Sequence, residues 1–477
     1  MPTVPVTLTK VCWATAGCMT SISSTAAAVG DGFEDPGSRR HDHMMSLRTG
    51  GHGSERIGSR GYQTGKTVTS TTAESTLAPP GTRGDDPARP VHPGGRRVNP
   101  FQLPRNEIEA LVAEHGTPIY LVSHAQVVEN YRRLDACLPA VTLFYAVKAN
   151  PYAGILATLA RIGAGFDVAS QGEIEAALAA GADAREDLIF ADTVKDPRHI
   201  AHATAVGLDD FTYDNASEIT QIARHAPGAN VHVRIRVSNE GSVARLSEKF
   251  GARPDQAVPL LAAARDQGLV PRGVSFHVGS QCLDVRRYLE ALDTVRAIFD
   301  AAAGEGMDLA MVDIGGGFPV RYHDEMVDIT AMGEVISAHY EALFDARVQL
   351  VAEPGRAVVG DAVALVTRVI SESERDGRRW LYLDDGTYGS FMEVLLYRMS
   401  YPLRALSDGP VTPYVLAGPT CDCIDVFSRD ADGAITTVDL PEMHLDDLLV
   451  AGGMGAYTFS ESTRFNGFPP PAFVDLD

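Results

Sequence analysis

Thr142-Leu143-Phe144-Tyr145-Ala146-Val147 runs into Lys148-Ala149-Asn150, an apolar stretch of strand length that ends on a charge. Seven segments of the same texture follow: Ala164–Ala169, Asp187–Ala191, Asp209–Tyr213, Asn230–Val237, Gly273–Val278, Leu309–Ile314 and Val348–Glu353. Each is β-branched or aromatic in character and stops near polar or glycine residues, as strands do. Between them, apolar residues recur at three and four over Gly172–Ala180, Ala216–His225, Asp255–Gln267, Val285–Ala303 and Ala331–Asp345. Eight such repeats predict an α/β fold, a (β/α)8 TIM barrel closed by right-handed crossovers. An open doubly wound sheet is the competing arrangement.

After Ala357 the texture changes to short β-like runs, Ala362–Ile370, Trp380–Leu383, Val411–Ala417 and Leu448–Ala451, parted by Gly, Pro and Asp. They predict a mostly antiparallel C-terminal β domain. Phe101–Ser123 precedes the first barrel strand and is expected to join it. The expected division is therefore 1–95 as an extension, 96–123 joining the β domain, 124–360 as the barrel and 361–477 as the β domain. Residues 1–95 are crowded with Gly, Ser, Thr, Pro and Arg, so they cannot bury enough surface to offset chain entropy and are expected to be disordered. His41, His43, Met44 and Met45 within them read as solvated spacers rather than a metal tract.

Hydrophobic residues make up 45% and charged residues 22% of the chain, enough for a sizeable core. Against 62 acidic residues stand 41 Lys and Arg, a net charge of −21 that would repel nucleic acid. Val11–Gly30 is diluted by Ser and Thr and does not read as a signal peptide, and no stretch approaches a membrane span of about 18 apolar residues. A cytoplasmic protein is expected. Cys12, Cys18, Cys137, Cys282, Cys421 and Cys423 form neither a disulfide framework nor a zinc-type pair of pairs, and no metal is expected.

In such a barrel the reactive groups sit at the carboxyl ends of the strands. Lys148 ends the first, where burial would depress its pKa and make the amine a nucleophile, although a strand-end lysine can also be a solvated cap. Asp167 near the end of the second is a pocket acid or a neighbour of a helix cap. His277-Val278-Gly279-Ser280 offers a ring for stacking and a hydroxyl for an anion. Gly315-Gly316-Gly317 would let backbone amides approach a phosphate, or form a tight turn. Glu353-Pro354-Gly355-Arg356 places an acid and a base close enough to face one ligand or simply each other.

Together with Phe166–Ser170, these stretches resemble the fold type III pyridoxal-phosphate decarboxylases, whose barrel is alanine racemase-like. Arg245–Gly251, Asp385–Phe391, Gly418–Asp422, Gly455–Thr458 and Phe465–Phe468 resemble the ornithine decarboxylase branch, in the same order along residues 100 to 470. The resemblance implies that Lys148 holds pyridoxal 5'-phosphate covalently and that Glu353 keeps its pyridine nitrogen protonated. It implies that His277 stacks on the ring, with Asp167 and Arg234 nearby. Ser280, Gly315, Gly316, Gly317, Gly355, Arg356 and Tyr457 would hold the phosphate. Cys421 would return a proton to Cα, and Asp422, with Tyr388, Glu393 and Phe465, would bind the substrate.

In the family, Cys421 and Asp422 come from the other subunit of a homodimer. On their own, Cys421 and Cys423 could also be small core residues or a C-x-C redox pair. The implied activity is decarboxylation of a basic L-amino acid, foremost L-ornithine to putrescine and CO2. Lysine, meso-diaminopimelate or another carboxylated amino acid is the alternative substrate, and a non-catalytic regulatory homologue the alternative class. Two departures bear on this. Cys423 stands where serine is usual, and Leu396-Tyr397-Arg398 stands where eukaryotic members have Tyr-Asp, leaving Glu393 as the nearby acid and Arg398 as a possible partner for a distal carboxylate.

Overall fold

The computed structural model describes residues 98–139, 141–323 and 327–477. The expected disordered extension over 1–95, with its His41 to Met45 cluster, lies outside the described residues. Strand β1 (Ile119–Val122) comes first and belongs to the second sheet. The barrel strands are β2 (Val141–Ala146), β3 (Gly165–Val168), β4 (Leu188–Phe190), β5 (Asp210–Tyr213), β6 (Asn230–Ile235), β7 (Val270–Phe276), β8 (Met311–Asp313) and β9 (Gln349–Ala352). All pair in parallel, and β2 closes on β9 through Val141↔Leu350 and Leu143↔Ala352. The open sheet is thereby excluded, and all eight strand expectations are met within a few residues.

Alternation sorts each strand into an outward and an inward set. Outward residues such as Tyr145, Phe166, Phe211 and Val233 pack against the helices in the main core. Helix Ala216–His225 shows why these residues form helices: Asn215 caps it by accepting from the Glu218 amide at 3.0 Å, and Ile219 and Ile222 bury its inner face.

The inward residues form three layers. At the amino ends, side-chain bonds link five strands: Thr142 accepts from Gln349 (3.1 Å), Gln349 from Arg272 (3.2 Å), and Arg272 donates to Asp210 (2.9 Å). Asp210 meets His232 Nδ1 at 3.0 Å, and Thr212 meets His232 Nε2 at 2.5 Å. Above lies a small apolar cluster of Phe144, Ile189, Ala191, Met311 and Val351. The same inward parity at the carboxyl ends delivers Asp167, Arg234, Asp313 and Glu353.

Beyond the barrel, β10 (Val363–Arg375), β11 (Arg378–Leu383), β12 (Leu403–Ala405), β13 (Val411–Ala417), β14 (Val438–Pro441), β15 (Leu448–Ala451) and β16 (Ala472–Asp475) form the second sheet. Its pairings are antiparallel except β11 with β13 and β1 with β16. The strand expected over Ala362–Ile370 runs on to Arg375. Its polar continuation Ser371-Glu372-Ser373-Glu374 carries no apolar signal, but Asp376-Gly377, at φ 50° and 71°, turns it into a hairpin with β11.

Candidate active site

Lys148 is not the last residue of its strand. β2 ends at Ala146, and Lys148 rides on the 3-10 turn Val147–Ala149, which tips its side chain over the barrel mouth, where it stays 42% exposed. Nζ donates to Asp167 Oδ2. Asp167 is fully buried, and its Oδ1 has no hydrogen-bond partner among the described residues. Ser170 and Glu173 fix the end of β3, with Ser170 accepting from the Glu173 amide (3.3 Å) and Glu173 from the Ala169 amide (2.7 Å). The expectation that burial lowers the Lys148 pKa is overturned. Burial does act downward, but the charges of Asp167 and Glu353 outweigh it and raise the pKa, so the amine rests as an oriented ammonium.

Glu353 follows β9, its amide donating to the Gly315 carbonyl at 2.8 Å. Beside it, at the end of β8, is Asp313, a residue given no role from sequence. Asp313 Oδ2 is buried with no hydrogen-bond partner among the described residues, and the Asp313 charge acts on Glu353. Burial raises both pKas, Asp313 to about 7 and Glu353 well above the carboxylate range, and the charge of Asp313 pushes Glu353 further up. Glu353 is thus the carboxyl of the two that keeps a proton. Asp313 Oδ1 also accepts from the Gly315 amide at 2.8 Å, so the acid pair and the glycine turn are one unit. An acidic residue two positions before the barrel-end glycine run, on the inward parity of its strand, was the available signal.

His277 stays neutral because burial, Arg234 and Lys148 all lower its pKa. Its Nδ1 accepts from the Gly279 amide at 3.0 Å, leaving Nε2 beside Gly316. Arg234 lies against Phe250, 5.3 Å from the ring centre. Gly315 and Gly317 have φ of 63° and 103°, and a Cβ on either would lie 2.4 Å from a carbonyl oxygen, so only glycine fits. Among the described residues no hydrogen bond uses the amides of Gly316 and Gly317. Gly355 packs against Ala149 and Ala146.

Arg356 is buried and its donors are largely committed. Nε reaches Ser280 at 3.2 Å, Nη1 reaches Tyr322 at 2.8 Å, and Glu393 accepts bidentately at 2.5 and 3.0 Å. Tyr457 lies under the guanidinium at 4.9 Å, and its amide donates to Ala149. Glu393, expected at the substrate, is instead a buried partner of Arg356, steadied by Tyr401 at 3.0 Å. Arg398 also stands apart. Its guanidinium packs on Gly433 and donates to the Leu395 carbonyl at 3.1 Å.

Cys421, Asp422, Tyr388 and Phe465 form a second, exposed cluster. Tyr388 donates to Asp422 at 2.6 Å, which lowers the Asp422 pKa, and stacks on Phe465 at 4.4 Å. The Cys421 amide donates to Asn466 at 3.0 Å. Buried Asp425 ties this loop to the Tyr388 turn, accepting from the amides and hydroxyls of Thr387 and Thr420 at 2.7 to 3.1 Å. Asn466 and Asp425 were not singled out from sequence. Among the described residues, no hydrogen bond or ion pair joins Cys421 or Asp422 to Lys148, Asp167 or Glu353. All four described cysteines are unpaired thiols.

The mouth fits pyridoxal phosphate on its own chemistry. Free glycine amides and Ser280 suit a phosphate, a proton-holding acid pair suits a ring nitrogen, neutral His277 suits a ring face, and Lys148 suits an aldehyde. The fold and site thus define a cofactor-dependent barrel enzyme that works on amines.

The chain belongs to the pyridoxal-dependent decarboxylases, in the ornithine decarboxylase-like family. The family model for the pyridoxal-binding domain of pyridoxal-dependent decarboxylases matches residues 124–360. The lysine/ornithine decarboxylase of Selenomonas ruminantium is 42% identical over 370 residues, 77% of this chain and 92% of that one. Antizyme inhibitor 2 of Xenopus laevis is 35% identical, over 76% and 81%. The structure of a lysine/ornithine decarboxylase from Vibrio vulnificus complexed with putrescine matches with a TM-score of 0.72 at 34% identity, covering 78% of this chain and 98% of that one. The chain is accordingly a pyridoxal-phosphate-dependent carboxy-lyase of basic amino acids.

Proposed function

We propose that the chain decarboxylates L-ornithine to putrescine in preference to lysine. It would do so as a cytoplasmic homodimer, with Cys421 and Asp422 completing the partner's barrel mouth. The observation that carries the substrate reading is the pairing of an ionised Asp422 with Tyr388, against an Arg398 committed to Leu395 and Gly433. An acid stands ready for a distal ammonium, while the arginine that could have met a distal carboxylate is engaged elsewhere. The cytoplasmic assignment rests on the reduced thiols.

When bound, the cofactor supplies an electron sink for the pair released as CO2 leaves. The chain's residues supply the rest. Lys148 Nζ is aimed by Asp167, the Asp313–Glu353 pair holds a proton where the ring nitrogen would lie, and His277 excludes water from one ring face. Cys421 Sγ delivers the proton to Cα. An acid pair at the ring nitrogen supports the sink, which favours decarboxylation over racemisation. It also argues against a purely regulatory role, for which none of these groups would be needed.

The test is CO2 release by the loaded enzyme from ornithine, lysine, arginine and meso-diaminopimelate side by side. Ornithine should show the highest kcat/KM and lysine the next. Preference for lysine, arginine or diaminopimelate would overturn the substrate assignment.

A further inference from the structure

Beyond Tyr457 stands a carboxylate that none of these roles uses. The Tyr457 amide and the Ser460 hydroxyl both donate to the Ala149 carbonyl, at 2.9 and 3.4 Å, so this turn lies against the residue that follows Lys148. Glu461 comes next. Its Oε2 is closed off from solvent and has no hydrogen-bond partner among the described residues. The charges acting on it are those of Glu393 and Arg356, which already neutralise one another in their buried pair. Its own charge acts on the hydroxyl of Tyr397, at the end of helix Met392–Tyr397. Burial, followed by repulsion from Glu393, pushes its pKa up to about 7.

A buried carboxylate oxygen with no donor is unfavourable unless a cation arrives from outside. In a basic amino acid the α-amine is taken up at Lys148 and the α-carboxylate would be repelled, so the distal ammonium is the group that suits this position. Glu393, the other acid of this neighbourhood, is already occupied by Arg356.

We propose that Glu461 binds the distal ammonium of the substrate together with Asp422, and so acts as a second specificity-determining carboxylate of this chain. The inference rests on the reading of the substrate as a basic amino acid and names a second group that recognises it. Removing the charge while keeping the shape should weaken diamine binding about ten- to a hundred-fold, the range of a charge-assisted hydrogen bond.

The experiment is calorimetric binding of putrescine and cadaverine to the cofactor-loaded Glu461→Gln and Glu461→Asp variants, alongside kcat and KM for ornithine and lysine. Norvaline, which lacks the distal amine, serves as a competitor. In Glu461→Gln, diamine Kd and substrate KM should rise together by that factor, with kcat within about threefold and norvaline inhibition unchanged. Glu461→Asp should recover part of the loss, showing that a folded site remains. Unchanged diamine affinity in a Glu461→Gln protein that takes up cofactor normally would overturn the inference. So would an equal loss for norvaline, which marks a structural role. If the wild-type enzyme releases CO2 from no basic amino acid, the substrate reading falls separately, and diamine affinity still decides the part played by Glu461.

Discussion

The barrel mouth and the Cys421 loop are built in opposite ways. At the mouth, mostly buried charged groups answer one another: Asp167 meets the part-exposed Lys148, Asp313 lies with Glu353, and Arg356 pairs with Glu393. On the loop, Cys421, Asp422 and Phe465 are exposed or nearly so, yet Asp425 and Tyr388 hold the loop rigid. Surface residues are seldom so firmly tied without purpose. In the proposed homodimer, the cofactor-holding mouth of one subunit and the tied Cys421 loop of the other would be two halves of one site.

The largest test removes one half. Lys148→Ala should lose the visible absorbance of lysine-linked cofactor and at least about 10⁴-fold in kcat. Mixed in equal amounts with an inactive Cys421→Ala variant, it should regain about a quarter of wild-type activity, since half the dimers would carry one intact site. Failure to regain any activity would break the comparison. A smaller effect is expected at the loop. Tyr388→Phe removes one hydrogen bond to Asp422 and should raise KM for ornithine about three- to tenfold with cofactor uptake unchanged.

The smallest effect concerns stability. Asp313 titrates near 7 in the fold against about 4 unfolded. For an acid whose folded pKa is raised, the penalty is absent below about pH 4, grows as pH rises to 7 and is constant beyond. Asp313→Asn should therefore melt a few degrees higher than wild type at pH 8, with the gap closing toward pH 5. A pH-independent gap would show that Asp313 keeps an ordinary carboxylate pKa in the fold.

The strands, and the place of Lys148, Asp167 and Glu353 near their carboxyl ends, could be read from the sequence because each depends on which residues form an apolar run and which ends it. What escaped depends on partners distant in the chain. Glu393 looked like a substrate acid until Arg356, 37 positions away, was seen to occupy both its oxygens. The Lys148 amine looked like a depressed base because its strand is apolar, and nothing local announces the two carboxylates that reverse the sign. Asp313 was in view but silent, since a carboxyl pair becomes visible only when β8 and β9 are set side by side. Polar strand ends such as Ser371–Arg375 fail for the opposite reason: their order comes from a turn and a neighbour rather than from burial.

The chain of side chains from Thr142 to His232 ties five strands at the rim opposite the chemistry, with an apolar layer between. Closure of the cylinder is thus insured at one end while the other is free to vary. Laboratory evolution toward new amines can spend its substitutions on the upper rim and leave that lower girdle untouched.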